Sequence, residues 1–260
     1  MKILITSGYN QSKHTILLIH RLIKDNINIS KVLIVRTLNF KRIKYYYNWL
    51  SPEVFYHKVR DRIFGSMNLI SNSVESEYVL NDLKKENVQH KTVTSICDAN
   101  DISYTFVNNL NSKEALDNCT SYDLGVYCGG GVLGNKFLRN FKIGILNCHA
   151  GKLPNVRGMN SSEWSLFLGL PIINTVHFMV RKIDMGPIIY QKEIDISNCK
   201  SLNDIRGIAV CNLVEDLMTS IKLVIKKDYE LIKQSSKDGL QYFNMHYILK
   251  SIITYKNFVK

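Results

Sequence analysis

The first part of the chain alternates between strand-like apolar runs and helix-like apolar spacing. "KILITS" (2–7) and "KVLIVRTL" (31–38) are short apolar runs, and "KHTILLIHRLI" (13–23) between them repeats apolar residues at helical intervals. A strand, a helix and a second strand in this order predict a unit of parallel β-sheet. The turn after the first strand, "SGYNQSKH", lacks G-x-G-x-x-G and therefore does not indicate a dinucleotide site.

The spacing of apolar residues along the rest of the chain predicts further helices and strands. Helical patterns occupy 51–64 (from a Ser-Pro start), 73–87, 160–170 and about 201–235; strand patterns occupy 122–128, 142–149, 174–180 and 190–196; residues 91–107 hold a helix end and a short strand. The last two strands flank the turn "KIDMGPI", and the tail after 235 has a mixed pattern.

These elements predict one α/β fold with a doubly wound, mostly parallel, Rossmann-like sheet and a small C-terminal helical extension. We expect residues 1–200 to form the catalytic domain and residues 201–260 to form the extension, packed on the same core. The sequence leaves open whether the chain is the N-terminal part of a longer protein.

Charge and cysteine usage narrow the function classes. The chain has 34 Lys and Arg against 22 Asp and Glu, a formal charge of +12, which favours anionic partners such as phosphates and nucleotides. The 6 cysteines form no C-x-x-C pair, so a zinc site is not expected, and their scatter is typical of a reducing cytosol. Because no apolar run approaches the roughly 20 residues that span a bilayer, we expect a cytoplasmic protein without membrane contact.

The most informative stretch is "GILNCHAGKLPNVRGMNSSEW" (144–164), where an apolar strand ends in Asn147 and His149. Alternate strand residues point to one side, so these two side chains should project together, while Cys148 faces away. An amide and a histidine can stabilise an oxyanion, and the histidine can move protons. A second stretch, "TVHFMVRKIDMGPII", adds His177 and Asp184, which could hold a water or orient the imidazole.

Together these motifs resemble the formyltransferase family. The pattern is an N-x-H strand end, a loop ending in L-P-x-x-R-G, and then T-x-H and D-x-G, with the preceding "YDLGVYCGGGVLGNKFL" also similar. The resemblance covers residues 75–195 well and the ends loosely. It implies attack of an amine on the formyl group of 10-formyltetrahydrofolate. Separately, His149 and His177 have no cysteine or carboxylate at a spacing typical of zinc sites, so we expect that no metal is required.

The resemblance also implies the roles of individual residues. Asn147 and His149 would stabilise the oxyanion, His149 would shuttle a proton, and Asp184 would position the water or the imidazole. The substrate side would be formed by Lys152, Arg157, Gly158, Met159, Asn160 and His177. The donor side would be formed by Gly129, Gly130, Gly131 and Gly186.

Two departures from the family pattern keep the donor open. The family's neutral S-L-L-P loop is here "AGKLP", with Lys152, and the donor-side loop "CGGGVLG" has three consecutive glycines. Glycines remove side chains from a pocket wall and let the backbone approach a ligand. That suits the pterin of the folate, but also the thioester arm of acetyl-CoA, and a plain tight turn explains the glycines equally well.

Among acceptors, the form "LPNVRGMNSSEW" most resembles members that act on nucleotide-linked amino sugars. Methionyl-tRNA is an alternative, disfavoured by the short C-terminal region, and glycinamide ribonucleotide members lack the R-G form of the loop. The aromatic run "KYYYNW" (44–49) could stack on a nucleotide base, although helix packing explains it better. A homodimer is compatible with the sequence.

Two other classes stay open. The interleaved basic and aromatic residues also fit a non-catalytic protein that binds single-stranded nucleic acid, although that interpretation explains nothing in residues 143–191. A hydrolase that gives the formyl group to water is the other alternative, and the long loop after His149 favours a larger acceptor.

Overall fold

The computed structural model describes residues 1–37 and 74–258. The predicted opening unit is confirmed as β1 (Ile3–Ser7), α1 (Lys13–Lys24) and β2 (Ile29–Val35). All five residues of β1 are buried, which fits a central strand covered on both faces. The predicted helix at 51–64 and the aromatic run 44–49 lie outside the described residues.

The remaining elements follow in chain order. They are α2 (Val74–Lys85), α3 (Val93–Asp98), β3 (Ser103–Val107), α4 (Lys113–Asp117), β4 (Tyr122–Cys128), α5 (Asn135–Leu138), β5 (Phe141–His149), β6 (Val156–Gly158), α6 (Ser161–Phe167), β7 (Ile173–Phe178), β8 (Ile188–Glu193), α7 (Leu202–Lys226), β9 (Leu240–Tyr242) and α8 (Tyr247–Phe258).

Seven of these strands form one sheet in the order β3-β2-β1-β4-β5-β7-β8. The first five are parallel, and β7 pairs antiparallel with β5. β8 pairs antiparallel with β7, as the turn "KIDMGPI" between them predicts. The chain leaves β1 first towards β2 and β3 and later returns on its other side as β4. The carboxyl ends of β1 and β4 therefore border the crevice where such sheets bind ligands, and β5 ends beside them.

The sheet is covered on both faces, so the doubly wound α/β prediction is confirmed. Ile3 and Ile5 of β1 pack in a core with α1 and α7, and the intervening Leu4 packs in a second core on the opposite face with Phe137 and Phe141. This alternation is what a pleated strand buried on both faces requires.

The C-terminal part contains one long helix and a strand pairing that the mixed pattern of the tail does not predict. In α7 the Ser201 hydroxyl accepts the Asp204 N–H, the N-terminal cap expected of a serine. Further on, β9 pairs in parallel with β6, joining Val156 to Leu240 and Gly158 to Tyr242. This second sheet ties the tail to the loop that follows His149.

The structure also describes the state of the cysteines and the apolar character of the helices. Every cysteine of the chain is a free thiol. Among the described residues, no helix is both long enough and apolar enough to cross a membrane.

Candidate active site

Asn147 and His149 lie at the carboxyl end of β5, where the antiparallel neighbour β7 places a histidine beside them. In the register of the two strands Asn147 is opposite His177, and His149 is opposite Thr175. The Asn147 amide Nδ2 donates to His177 Nε2 at 3.2 Å, while His177 Nδ1 donates to the Phe178 carbonyl at 3.1 Å. The side chains of Asn147 and His149 therefore project to the same region, as the strand alternation predicts.

Asp184 reaches the same group from the turn between β7 and β8. Its Oδ2 is 3.5 Å from His149 Nδ1, and its Oδ1 is 3.6 Å from His177 Nε2. Oδ2 also accepts the Gly158 main-chain N–H at 2.8 Å. The Asn147 amide, the two imidazoles and the Asp184 carboxylate thus form one cluster, although Asn147 and His177 are 30 positions apart in the sequence.

The hydrogen bonds of His149 show which of its two ring nitrogens can accept a proton. Its Nε2 donates to the Val156 carbonyl at 3.0 Å, so Nδ1, facing Asp184, is the nitrogen that can gain or release a proton. Burial lowers the pKa of His149, partly offset by the negative charge of Asp184, and the neighbouring His177 lowers it further. Burial by itself would raise the pKa of Asp184, but His177, His149 and the Gly158 N–H together lower it to about 2. Near neutral pH the site therefore holds a carboxylate beside a neutral His149.

Replacing Asp184 with Asn should move the pH dependence of turnover. Asp184 raises the pKa of His149, so removing its charge lowers that pKa further, and His149 stays neutral to lower pH. We expect the acid limb of the kcat profile to shift to lower pH in Asp184→Asn, on a reduced plateau, because His149 loses its charged partner. The measurement is kcat against pH with one acceptor, so that the ionisation of the amine is common to both enzymes.

The exposed carboxylate Asp195 provides the matched control, and Asp195→Asn should leave the profile unchanged. An acid limb that stays in place or moves to higher pH in Asp184→Asn would contradict the assignment of His149 as the titrating base.

The glycine loop follows β4, the parallel neighbour of β5, and has unusual backbone conformations. Gly129, Gly130 and Gly131 have φ values of 100°, 127° and 95°, which L-residues rarely adopt. The loop is anchored where Thr6 Oγ1 donates to the Gly129 carbonyl at 3.0 Å, and where the Tyr127 hydroxyl bonds the main chain of Gly131. A Cβ at Gly130 would overlap the Leu110 side chain, and a Cβ at Gly129 would press on the backbone of Gly8, so both positions have a packing reason to be glycine. The predicted contact of this loop with the donor stays a separate hypothesis.

The other predicted substrate residues are brought to the loop after β5, where several of them have main-chain partners. The Arg157 guanidinium is buried and donates to the carbonyls of Ser235 at 2.8 Å and Gly239 at 3.0 Å. The Asn160 side chain accepts the Met245 N–H at 2.9 Å. Met159 is 53% exposed, and Lys152 is half-buried. Substrate contact by these four residues stays a prediction.

Gly186 has a packing reason to be glycine. A Cβ at this position would overlap the carbonyl oxygen of Phe178, so the turn that carries Asp184 can approach β7 only with glycine there. Its predicted role on the donor side is a separate hypothesis. No group of three or more His, Cys, Asp or Glu side chains suited to a metal ion occurs within residues 1–37 and 74–258.

Two glutamines that support the site have no motif in the sequence. Gln191 Nε2 donates to the Leu153 carbonyl at 2.7 Å and to Thr175 Oγ1 at 3.0 Å, which fixes the loop after His149 against β7 and β8. Gln234 Nε2 donates to the main chain of the Asp184 turn. Thr175 could have been found from the T-x-H motif, whereas Gln234 lies in the tail whose pattern is mixed.

Sequence comparison with known proteins matches part of the chain. The family model described as "Formyl transferase" matches residues 82–207. Methionyl-tRNA formyltransferase of Thermotoga maritima is 31% identical over 108 residues, which cover 40% of this chain and only 34% of that protein.

Solved structures match over more of the chain. A sugar N-formyltransferase from a Shewanella species superposes with a TM-score of 0.58 at 15% identity, covering 98% of this chain and 87% of that one. An N-formyltransferase from Helicobacter canadensis, solved with folinic acid and dTDP-3-aminofucose, has a TM-score of 0.54 at 14% identity, covering 100% of this chain and 81% of that one. At these identities the likeness establishes a common fold. The formyltransferase model thus matches the segment that contains Asn147, His149 and Asp184, and the chain shares the fold of these solved N-formyltransferases.

Proposed function

We propose that this chain transfers a formyl group from 10-formyltetrahydrofolate to the primary amine of a nucleotide-linked amino sugar. The observation that carries the proposal is the convergence of Asn147, His149 and Asp184 near the carboxyl ends of the parallel strands, where such folds bind ligands. The cluster contains no serine or cysteine nucleophile, which suits a reaction in which the acceptor brings its own amine.

The site residues supply what the addition of an amine to a formyl carbonyl needs. The developing negative charge on the carbonyl oxygen requires nearby donors, and the Asn147 amide carries a second N–H beyond the one directed to His177. His149 Nδ1, neutral at the start, can accept the proton that the attacking amine must lose. Asp184, ionised by its surroundings, stabilises the imidazolium that results.

The donor assignment rests on the family match and on a structural neighbour. The formyltransferase model matches residues 82–207, and the Helicobacter canadensis protein was solved with folinic acid. The folate would supply the activated formyl group. No comparison favours acetyl-CoA as the donor.

The acceptor assignment rests on charge and on the named relatives. A formal charge of +12 suits a nucleoside diphosphate, and the Helicobacter canadensis relative was solved with dTDP-3-aminofucose. Methionyl-tRNA is the second candidate, because the Thermotoga maritima relative, although matched over a third of its length, carries that name.

The test is mass spectrometry of candidate acceptors after incubation with the protein and one donor. We expect a nucleotide-linked amino sugar to gain the mass of one formyl group with 10-formyltetrahydrofolate and nothing with acetyl-CoA. Formylation of methionyl-tRNA alone would favour the second candidate. Absence of any formylated product across a broad panel of both acceptor classes would overturn the proposal.

A further inference from the structure

The segment after α7 returns past the turn that carries Asp184. Ile232 exchanges two main-chain hydrogen bonds of 2.9 Å with Ile188, the first residue of β8. Two residues later, Gln234 Nε2 donates to the Asp184 carbonyl at 3.1 Å and to the Gly186 carbonyl at 2.6 Å. One side-chain amide therefore bridges both sides of the catalytic turn.

The conformation of the turn explains why such a bridge matters. Asp184 has φ of 51°, in the left-handed region that L-residues other than Asn and Asp seldom occupy. A residue in that region persists only when its surroundings hold it there. The Gln234 amide binds the carbonyl of that same residue, and so it restrains the peptide unit whose rotation would swing the carboxylate.

The carboxylate of Asp184 is held from the opposite direction. Its Oδ2 accepts the Gly158 N–H at 2.8 Å and faces His149 Nδ1 at 3.5 Å. The tail also anchors Gly158, because Arg157 donates to the carbonyls of Ser235 and Gly239. Residues 232–239 thus connect the Asp184 turn to the loop after His149.

We propose that Gln234 is a positioning residue that, through the carbonyls of Asp184 and Gly186, keeps the Asp184 carboxylate against His149 and His177 during the reaction. The inference rests on the proposed formyl transfer and adds to it a residue from outside the matched segment 82–207. It acts through Asp184 and is not expected to touch the reacting atoms.

The amide chemistry of Gln234 provides sharp substitutions. Its Oε1 is buried without a hydrogen-bond partner in the described structure, so the donating nitrogen alone fixes the side chain. Gln234→Met keeps the length and removes the donor. Gln234→Glu keeps the shape and points a carboxylate at two carbonyl oxygens. Lys233, exposed on the same segment, provides the control Lys233→Met.

We expect Gln234→Met and Gln234→Glu to lower kcat by about 10- to 100-fold, because small misplacements of a catalytic group have effects of this size. The acceptor KM should stay near the wild-type value, and Lys233→Met should behave as wild type. In an Asp184→Asn background, Gln234→Met should add little, because both changes remove the same interaction.

A second readout does not depend on turnover. Displacing Asp184 from His149 leaves His149 with burial and the neighbouring His177, both of which lower its pKa, so NMR titration should give a lower His149 pKa in Gln234→Met. Near-normal kcat in both variants, or a loss of kcat with an unmoved His149 titration, would overturn the proposal. If the wild-type protein forms no formyl product, the function fails, and the titration still decides whether Gln234 positions Asp184.

Discussion

His149→Ala is expected to reduce formyl transfer by at least about 10²-fold, because a positioned general base contributes about 10²–10⁴-fold. The Nε2 hydrogen of His149 is committed to the Val156 carbonyl, so what is lost is Nδ1, the group placed to accept the proton of the amine. His149→Asn supplies an amide but no proton acceptor, and it should recover at most a small part of the rate. Steady-state turnover is the measurement, with acceptor binding followed by calorimetry.

Acceptor affinity should change little in His149→Ala, because other residues would bind the diphosphate and the base. His20, which lies on α1 and pairs with Glu86 at 3.6 Å, provides a matched histidine control, and His20→Ala should retain wild-type turnover. Near-normal turnover of His149→Ala, or loss of acceptor binding with unchanged chemistry of bound substrate, would remove His149 from the reaction.

Gly158→Ala is expected to lower stability and activity together. Gly158 has φ of 93°, and a Cβ there would overlap the carbonyl oxygen of Tyr242 in β9. The left-handed backbone costs an alanine about 1–2 kcal/mol. Overpacking against a backbone atom adds about 1–3 kcal/mol to the loss in the free energy of unfolding. Activity should fall as well, because the Gly158 N–H holds the Asp184 carboxylate.

Gly169→Ala separates the two contributions. Gly169 also has a positive φ, 67°, but a Cβ there has open space around it. It should lose only the backbone contribution of about 1–2 kcal/mol and keep its activity. Denaturant unfolding and turnover of both variants provide the comparison, and equal losses in the two would show that the contact between β6 and β9 is unimportant.

The sheet could be predicted because its signals are local. Short, mostly apolar runs such as Ile3–Ser7 and Tyr122–Cys128 are enough to predict strands without knowledge of their partners. The apolar residues of α1 recur at helical spacing and predict that helix in the same way. The antiparallel pair β7 and β8 follows from one short turn between two strand patterns. The placement of Asn147 and His149 required only strand alternation and the position of the strand end.

The parallel pairing of β6 with β9 could not be predicted in this way. Each strand has three residues, too few to show a periodicity, and about 80 positions of sequence separate them. Arg157 shows the consequence for the site. The sequence alone predicts a cation that could bind a substrate. In the fold the Arg157 guanidinium donates hydrogen bonds to the carbonyls of Ser235 and Gly239.

Gln234 illustrates a second limit. A glutamine in a polar segment has no distinguishing pattern, and its significance comes from the left-handed turn at Asp184 that it contacts. Such support depends on which backbone carbonyls lie within reach, and only the three-dimensional arrangement determines that.

We propose that the amine of a nucleotide-linked amino sugar attacks the formyl group while His149 accepts its proton. The most direct test of this proposal is a single-turnover reaction with an isotopically labelled formyl carbon in 10-formyltetrahydrofolate, followed by NMR of the acceptor. We expect the wild-type protein to place the label in a new formamide on the sugar and His149→Ala to place almost none there at equal acceptor occupancy. Label that stays on the folate, or that appears as free formate at the same rate with and without acceptor, would contradict it.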